Sequence, residues 1–179
     1  MFRRLVRANM AQEIIEKGSD QNRYNKGQDS AQYLSFTMDN EEYGVDILRV
    51  QEIRSWEPVS RVPNVPYYEK GVVNLRGSIV PIIDLRERFH LKFTEYTSLT
   101  VVVVLQTRDG NRTRTMGVVV DSVSDVITVD KNKIQRAPDF GSKVSNEFIN
   151  GLVSVNERMV ILLDVDKLLK LDELEAQES

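Results

Sequence analysis

A single histidine, His90, and no cysteine stand in a chain of 179 residues. Any Ser-His-Asp triad would have to use that one ring as its base. Thiolate nucleophiles, disulfides and zinc–thiolate centres are excluded. His90 follows Phe89 at the end of a short predicted helix, which places it at the surface. Two aspartates, Asp84 and Asp164, close apolar runs and have the chemistry of a glycosidase carboxylate pair. Each also stands where a helix would start, and Asp84-Leu85-Arg86-Glu87 has the Asp-x-x-Glu spacing of a capping box. Capping is the favoured role. Nucleotide-binding glycine loops, the HExxH zinc pattern and EF-hand loops are absent from the sequence. That leaves Arg76, inside Asn74-Leu75-Arg76-Gly77, a polar knot between two apolar runs. It is either a solvated turn residue or a guanidinium fixed by a carboxylate beside a recognition surface.

The elements that must position these residues are strands. Residues 32–38 alternate, with Leu34, Phe36 and Met38 on one face and Tyr33, Ser35 and Thr37 on the other, as a half-buried strand does. Residues 39–44 supply a turn. Residues 98–106 form a continuous β-branched run, the pattern of a strand covered on both faces, and Arg108–Arg112 is the next turn. The connector from Arg61 to Gly71 holds two prolines, two tyrosines and two valines. Pro66 suits the opening of a one-turn helix there and Gly71 its close.

The chain also repeats itself. At a constant separation of 80 residues, Gly71 meets Gly151, Val73 meets Val153, Val80 meets Val160 and Asp84 meets Asp164. Upstream, at a separation of 73, Gly44 meets Gly117, Val50 meets Val123 and Glu52 meets Asp125. Between them, Ser60-Arg61-Val62-Pro63 lies over Gln135-Arg136-Ala137-Pro138 at 75. Two similar β modules in series follow, each of about five strands and about 70 residues. Modules that small close most readily as little barrels, which removes exposed strand edges.

Net charge is −3 and basic residues are scattered, so no nucleic-acid surface is expected. The longest apolar runs, Val101–Leu105 and Met159–Leu163, are five residues each, far short of the ~20 that span a bilayer. Phe2, Leu5, Val6, Met10 and Ile14 fall at helical spacing among Arg3, Arg4 and Arg7, as in an amphipathic partner or membrane helix or a plain arm. Residues 17–31 read as a polar linker, and the C-terminus as an amphipathic helix that ends in an acidic tail.

Asn74-Leu75-Arg76-Gly77-Ser78-Ile79-Val80-Pro81-Ile82-Ile83-Asp84-Leu85-Arg86, preceded by residues 43–54 and followed by residues 118–126, strongly resembles the CheW family, the coupling proteins of bacterial chemotaxis. The resemblance runs from about Tyr33 to Leu171. It implies a mainly β fold of two five-stranded SH3-like barrels packed side by side, with short connecting helices and a C-terminal helix. The division expected is an arm (1–31), the CheW-like domain (32–171; first barrel 32–95, second 96–165, strand exchange between them allowed) and a tail (172–179). The implied role is that of a non-enzymatic cytoplasmic adaptor, without cofactor or metal. It would join the tips of methyl-accepting chemotaxis receptors to the regulatory domain of the histidine kinase CheA, at membrane receptor clusters and in rings. By motif, receptor contacts fall on Val50, Glu52, Gly71, Arg76 and Val123, with Glu52 and Arg76 paired, and kinase contacts on Val59 and Phe140. Within the superfamily, CheV and CheA also carry such a module. Too few residues follow 171 for a receiver domain, so a standalone coupler is expected. A small-barrel enzyme or ligand-binding protein is the reading from another class.

Overall fold

The computed structural model describes residues 29–92, 95–110, 112–138 and 146–168. The N-terminal apolar stripe, Phe140 and the acidic tail lie outside them. β1 (Ser30–Met38) and β2 (Glu41–Asp46) pair through Asp39 and Asn40, whose φ values of 50° and 65° are those of a two-residue hairpin turn. Then come β3 (Val50–Ser55), the hairpin β4 (Glu69–Leu75) and β5 (Ser78–Asp84), and a single helical turn, α1 (Leu85–Arg88). The second half follows the same order: β6 (Val101–Asp109), β7 (Arg112–Val120), β8 (Ser122–Asp130), and the hairpin β9 (Ile149–Val155) and β10 (Arg158–Leu163).

The sheets do not follow the halves. One sheet has the order β8-β1-β2-β10-β9 and the other β3-β6-β7-β5-β4. Each takes a β-hairpin from one half and three strands from the other. The repeat survives this exchange. Leu162 lies beside Gly44 in the parallel β10–β2 pair, and their repeat mates Ile82 and Gly117 lie together in the β5–β7 pair.

Neither sheet is a continuous closed barrel, as small modules were expected to be. The ladder breaks between β3 and β4 and between β8 and β9, and each break is crossed by one bridge. Ser60 bonds Val72 through both backbone groups (3.2 and 2.9 Å), and Gln135 bonds Leu152 likewise (2.8 and 2.8 Å). These are the residues that the 75 and 80 alignments had set over one another. The bridge explains the glycines: a Cβ on Gly71 would lie 2.1 Å from the Ser60 carbonyl oxygen, and one on Gly151 2.9 Å from that of Gln135. Gly71 also has φ +139°, which side chains rarely adopt. It sits inside β4, not at the end of a one-turn helix; Pro66 accepts a turn bond from Glu69 instead (3.0 Å).

Alternation sorts the side chains into three cores. Val80, Ile82, Val102, Val104 and Val119 fill the concave side of one sheet, and Tyr33, Val129, Val153, Val160 and Leu162 that of the other. The largest core lies between the sheets and draws on both, with Leu34, Phe36, Met38, Tyr43 and Val45 against Ile53, Ile83, Val103, Leu105 and Val118. β6 therefore buries both faces, as its β-branched run requires.

Ile82 and Leu162 occupy equivalent sites and are 1% and 0% exposed. Leu162→Ala and Ile82→Ala should each cost ~2–5 kcal/mol, as truncations in packed cores do; a denaturation midpoint equal to wild type in either would refute the equivalence. Tyr43, 2% exposed, has its phenol pushed up to about 12 by burial, with Glu41 and Asp39 adding to it. Between pH 10 and 12 the unfolded chain releases this proton and the folded chain keeps it, so stability must fall as pH rises through that window. The slope of unfolding free energy against pH should be shallower there in Tyr43→Phe.

Candidate docking surface

Arg76 stands at the tip of the β4–β5 hairpin with φ 51°, and Gly77 follows with its N–H held by the Asn74 side chain (2.9 Å). The guanidinium is 88% exposed, yet its Nη2 donates to Glu52 Oε2 at 3.1 Å. Glu52 is only 18% exposed and has Arg54 Nε 3.7 Å from its other oxygen. Glu52 belongs to β3 and Arg76 to the β4–β5 hairpin, so the pair spans the break in that sheet beyond the Ser60–Val72 bridge. An ion pair this open contributes ~0.2–1 kcal/mol. Its value lies in holding a cation ready in a fixed place. The equivalent positions across the repeat are Asp125 and Asn156, which cannot form an ion pair.

Val50 is the first residue of β3 and Val123 the second of β8, the outer strands of the two sheets. A bulge follows each. In β3 it separates Val50 from Glu52, so that Val50 and Ile53, three apart, both face the central core. In β8, Val123 and Val126 do the same, and the Ser35 hydroxyl fills the gap, donating to the Asp125 carbonyl (3.1 Å) and accepting its N–H (3.2 Å). Val123 stays half-buried, but Val50 is 8% exposed and offers little surface of its own. The bulge turns the Val50 side chain inward, toward the central core. Gly71 is buried beneath the seam. Val59 is half-buried beside the Ser60–Val72 bridge, with its Cγ2 3.0 Å from where a Cβ on Gly71 would lie, and it lines a small cavity with Ser55, Glu57, Pro58 and Val73. Trp56 stacks on Tyr96 with ring centroids 4.3 Å apart.

Asp84 caps α1 through the Arg86 N–H (3.0 Å), as the sequence suggested, but no reciprocal capping box forms. The Asp84 N–H donates to Tyr68 O (2.8 Å), and Glu87 instead holds Lys70 (2.9 Å). Asp164 repeats the arrangement, with its N–H on Phe148 O (2.8 Å) and its carboxylate accepting from Lys167 N (3.1 Å).

Sequence reasoning missed what Asp84 does next. Its carboxylate takes Arg86 Nε (3.0 Å) and Nη2 (2.7 Å), and Tyr96 Oη donates to it as well (3.0 Å). Arg86 Nη1 continues to Asp121 Oδ1 (2.9 Å), and Asp121 Oδ2 accepts the Asp39 N–H (2.9 Å). The Arg86 side chain is 1% exposed. Burial disfavours its charge, but the bonds and charges of Asp84 and Asp121 outweigh that and raise its pKa. Burial, then Asp84, raises that of Tyr96. The network ties the end of one sheet to the crossover into the other. The signal in the sequence was the Asp-x-Arg pair itself, set where an apolar strand ends.

His90 lies exposed with Nδ1 2.8 Å from Tyr67 Oη. Among the described residues no three His, Cys, Asp or Glu side chains cluster as metal ligands, and no helix is long and apolar enough to cross a membrane.

Two interlocked β sheets that display a pre-set ion pair and a shallow seam define a docking scaffold. Residues 32–173 match the family model described as the CheW-like domain, and the chain belongs to that family. It is 48% identical over 143 residues to the chemotaxis protein CheW of Klebsiella aerogenes, covering 80% of this chain and 84% of that one. It is 34% identical to that of Bacillus subtilis, covering 76% and 85%. The solved scaffolding protein TtCheW from Thermoanaerobacter tengcongensis superposes with a TM-score of 0.72 at 26% identity, over 81% of this chain and 91% of that one. The protein is a chemotaxis adaptor, not an enzyme.

Arg86→Met would leave the Asp84 carboxylate, 0% exposed, without its cation. Breaking a buried pair from one side costs ~3–5 kcal/mol. Chemical unfolding measures it, and a loss below ~1 kcal/mol would show that the network is not what joins these elements.

Proposed function

We propose that this chain binds the cytoplasmic tips of methyl-accepting chemotaxis receptors and the regulatory domain of the histidine kinase CheA at separate places, and so couples receptor state to kinase activity. It would work from the cytoplasm, at receptor clusters in the membrane, and take part in the rings that join them. The observation that carries the reading is the Glu52–Arg76 pair, in which a highly exposed guanidinium is oriented by a half-buried carboxylate. A receptor helix offering a carboxylate or a helix C-terminus meets a donor already in place. Val123 lies on the receptor side, with Val50 and Gly71 as the packed support beneath it. Val59, and Phe140 outside the described residues, serve the kinase.

Two titrations test this, one with a receptor tip fragment and one with the kinase regulatory domain. Arg76→Glu should weaken receptor binding at least tenfold, about 1.4 kcal/mol, while kinase binding stays within about twofold. Adding Glu52→Arg should restore part of the loss if the two act as a pair. Thermal melting controls for folding. Val50→Asp cannot serve as the probe, because a carboxylate at a site 8% exposed unfolds the core before it reports on docking. Loss of kinase binding with receptor binding intact would reverse the assignment of the surfaces.

A further inference from the structure

The Arg86 network has a counterpart at the repeat-related place, with the charges exchanged. Arg86 follows β5, and its mate 80 residues on, Asp166, follows β10. Arg86 reaches Asp121 in the crossover from β7 to β8; Asp166 reaches Arg49 in the crossover from β2 to β3, at 2.5 Å. In both places a carboxylate also takes a backbone N–H from the end of the other sheet's hairpin. Asp121 takes that of Asp39, and Asp166 that of Arg108 (2.9 Å each). The same three elements are tied twice, by pairs of opposite polarity.

The two ties differ in depth. Arg86 is 1% exposed and its partner Asp121 25%, whereas Arg49 and Asp166 are 25% and 31% exposed. Asp166 sits in the helical turn of residues 165–168, between Val165 and Leu168, which are 4% and 1% exposed and belong to the core between the sheets. On the other side, Leu85 and Phe89 fill that core beside the buried Arg86. One core plug is thus fixed by a guanidinium that water hardly reaches, held also by the buried Asp84. The other hangs on an ion pair that water reaches and salt screens.

We propose that Arg49–Asp166 is a latch that holds residues 165–168 over the central core, and that its release frees this turn while both sheets stay folded. Local opening of such a unit needs only the loss of its own contacts, at a free energy below that of global unfolding. The latch links the C-terminal turn to the crossover that leads directly into β3.

Amide hydrogen exchange on the full chain tests it. Asp166→Asn keeps an oxygen for the Arg108 N–H and removes only the charge. The Leu168 amide, bonded to Asp164 O at 3.0 Å, should then exchange at least tenfold faster, with β1–β2 and β6–β7 ladder amides unchanged. Arg49→Met should do the same, and so should ~1 M salt in wild type, where the Debye length falls to ~3 Å. The exchanged pair Arg49→Asp with Asp166→Arg should restore protection at Leu168. An unchanged Leu168 amide in both single variants would overturn the proposal. So would equal acceleration of the ladder amides, because that marks general destabilisation and not a latch.

Discussion

Everything in this fold depends on the exchange of strands between its halves. β1 and β2 find their partners in β8 and β10, and β3 and β5 find theirs in β6 and β7. No sheet can form from one half of the chain. The two parallel pairs are only three residues in register, too short to hold a sheet edge alone, and they are trapped by antiparallel ladders on both sides. Exchange also forces the crossovers to run between the sheets, and it is there that the largest core forms. Among the described residues that core has 19 buried members against five in each concave side, so the sheets are joined more firmly than either is filled.

Closure is the second constraint. Five strands curl far enough for the outer two to approach but not to pair along their length. A single bridge crosses each gap, and it demands that a strand and a backbone carbonyl come closer than any side chain allows, hence Gly71 and Gly151. The Glu52–Arg76 pair crosses the remainder of one gap. Being exposed, it adds little stability, which frees its geometry to serve recognition.

The repeat was legible because it rests on local requirements that recur: a glycine under the bridge, alternating aliphatics, an aspartate that caps a turn. The pairing of Glu52 with Arg76 was legible from the resemblance to the CheW family, and the hairpin geometry supplies its physical reason. Strand exchange was allowed for, but which strands would exchange was not legible. A β-strand carries its face pattern in its own residues but not the name of its neighbour, and β1 alternates in the same way beside β8 as it would beside any strand. The inward turn of Val50 was hidden for a related reason. A bulge breaks the period of two, so Val50 and Ile53 share a face that alternation assigns to opposite sides. The ties at Arg86 and Asp166 escaped the alignment because their charges are opposite, and a comparison that seeks likeness passes over positions that do the same work with inverted sign.

That inversion gives the repeat a further use. Two copies of one backbone impose the same geometric demands, so a residue type kept in both is one the fold requires. Gly71 and Gly151, or Asp84 and Asp164, are of this kind. Where the backbone is the same and the residues differ, folding is satisfied by either choice, and the difference belongs to something else. Inverted polarity at the ties puts both cations, Arg49 and Arg86, in the first half and the carboxylates they reach across to, Asp166 and Asp121, in the second, so that unlike halves attract and like halves repel. Arg76 against Asn156 has no such structural account, because an exposed pair hardly alters stability. A charge that the fold does not need, oriented by a partner that the fold does not need either, is best explained by what meets it from outside.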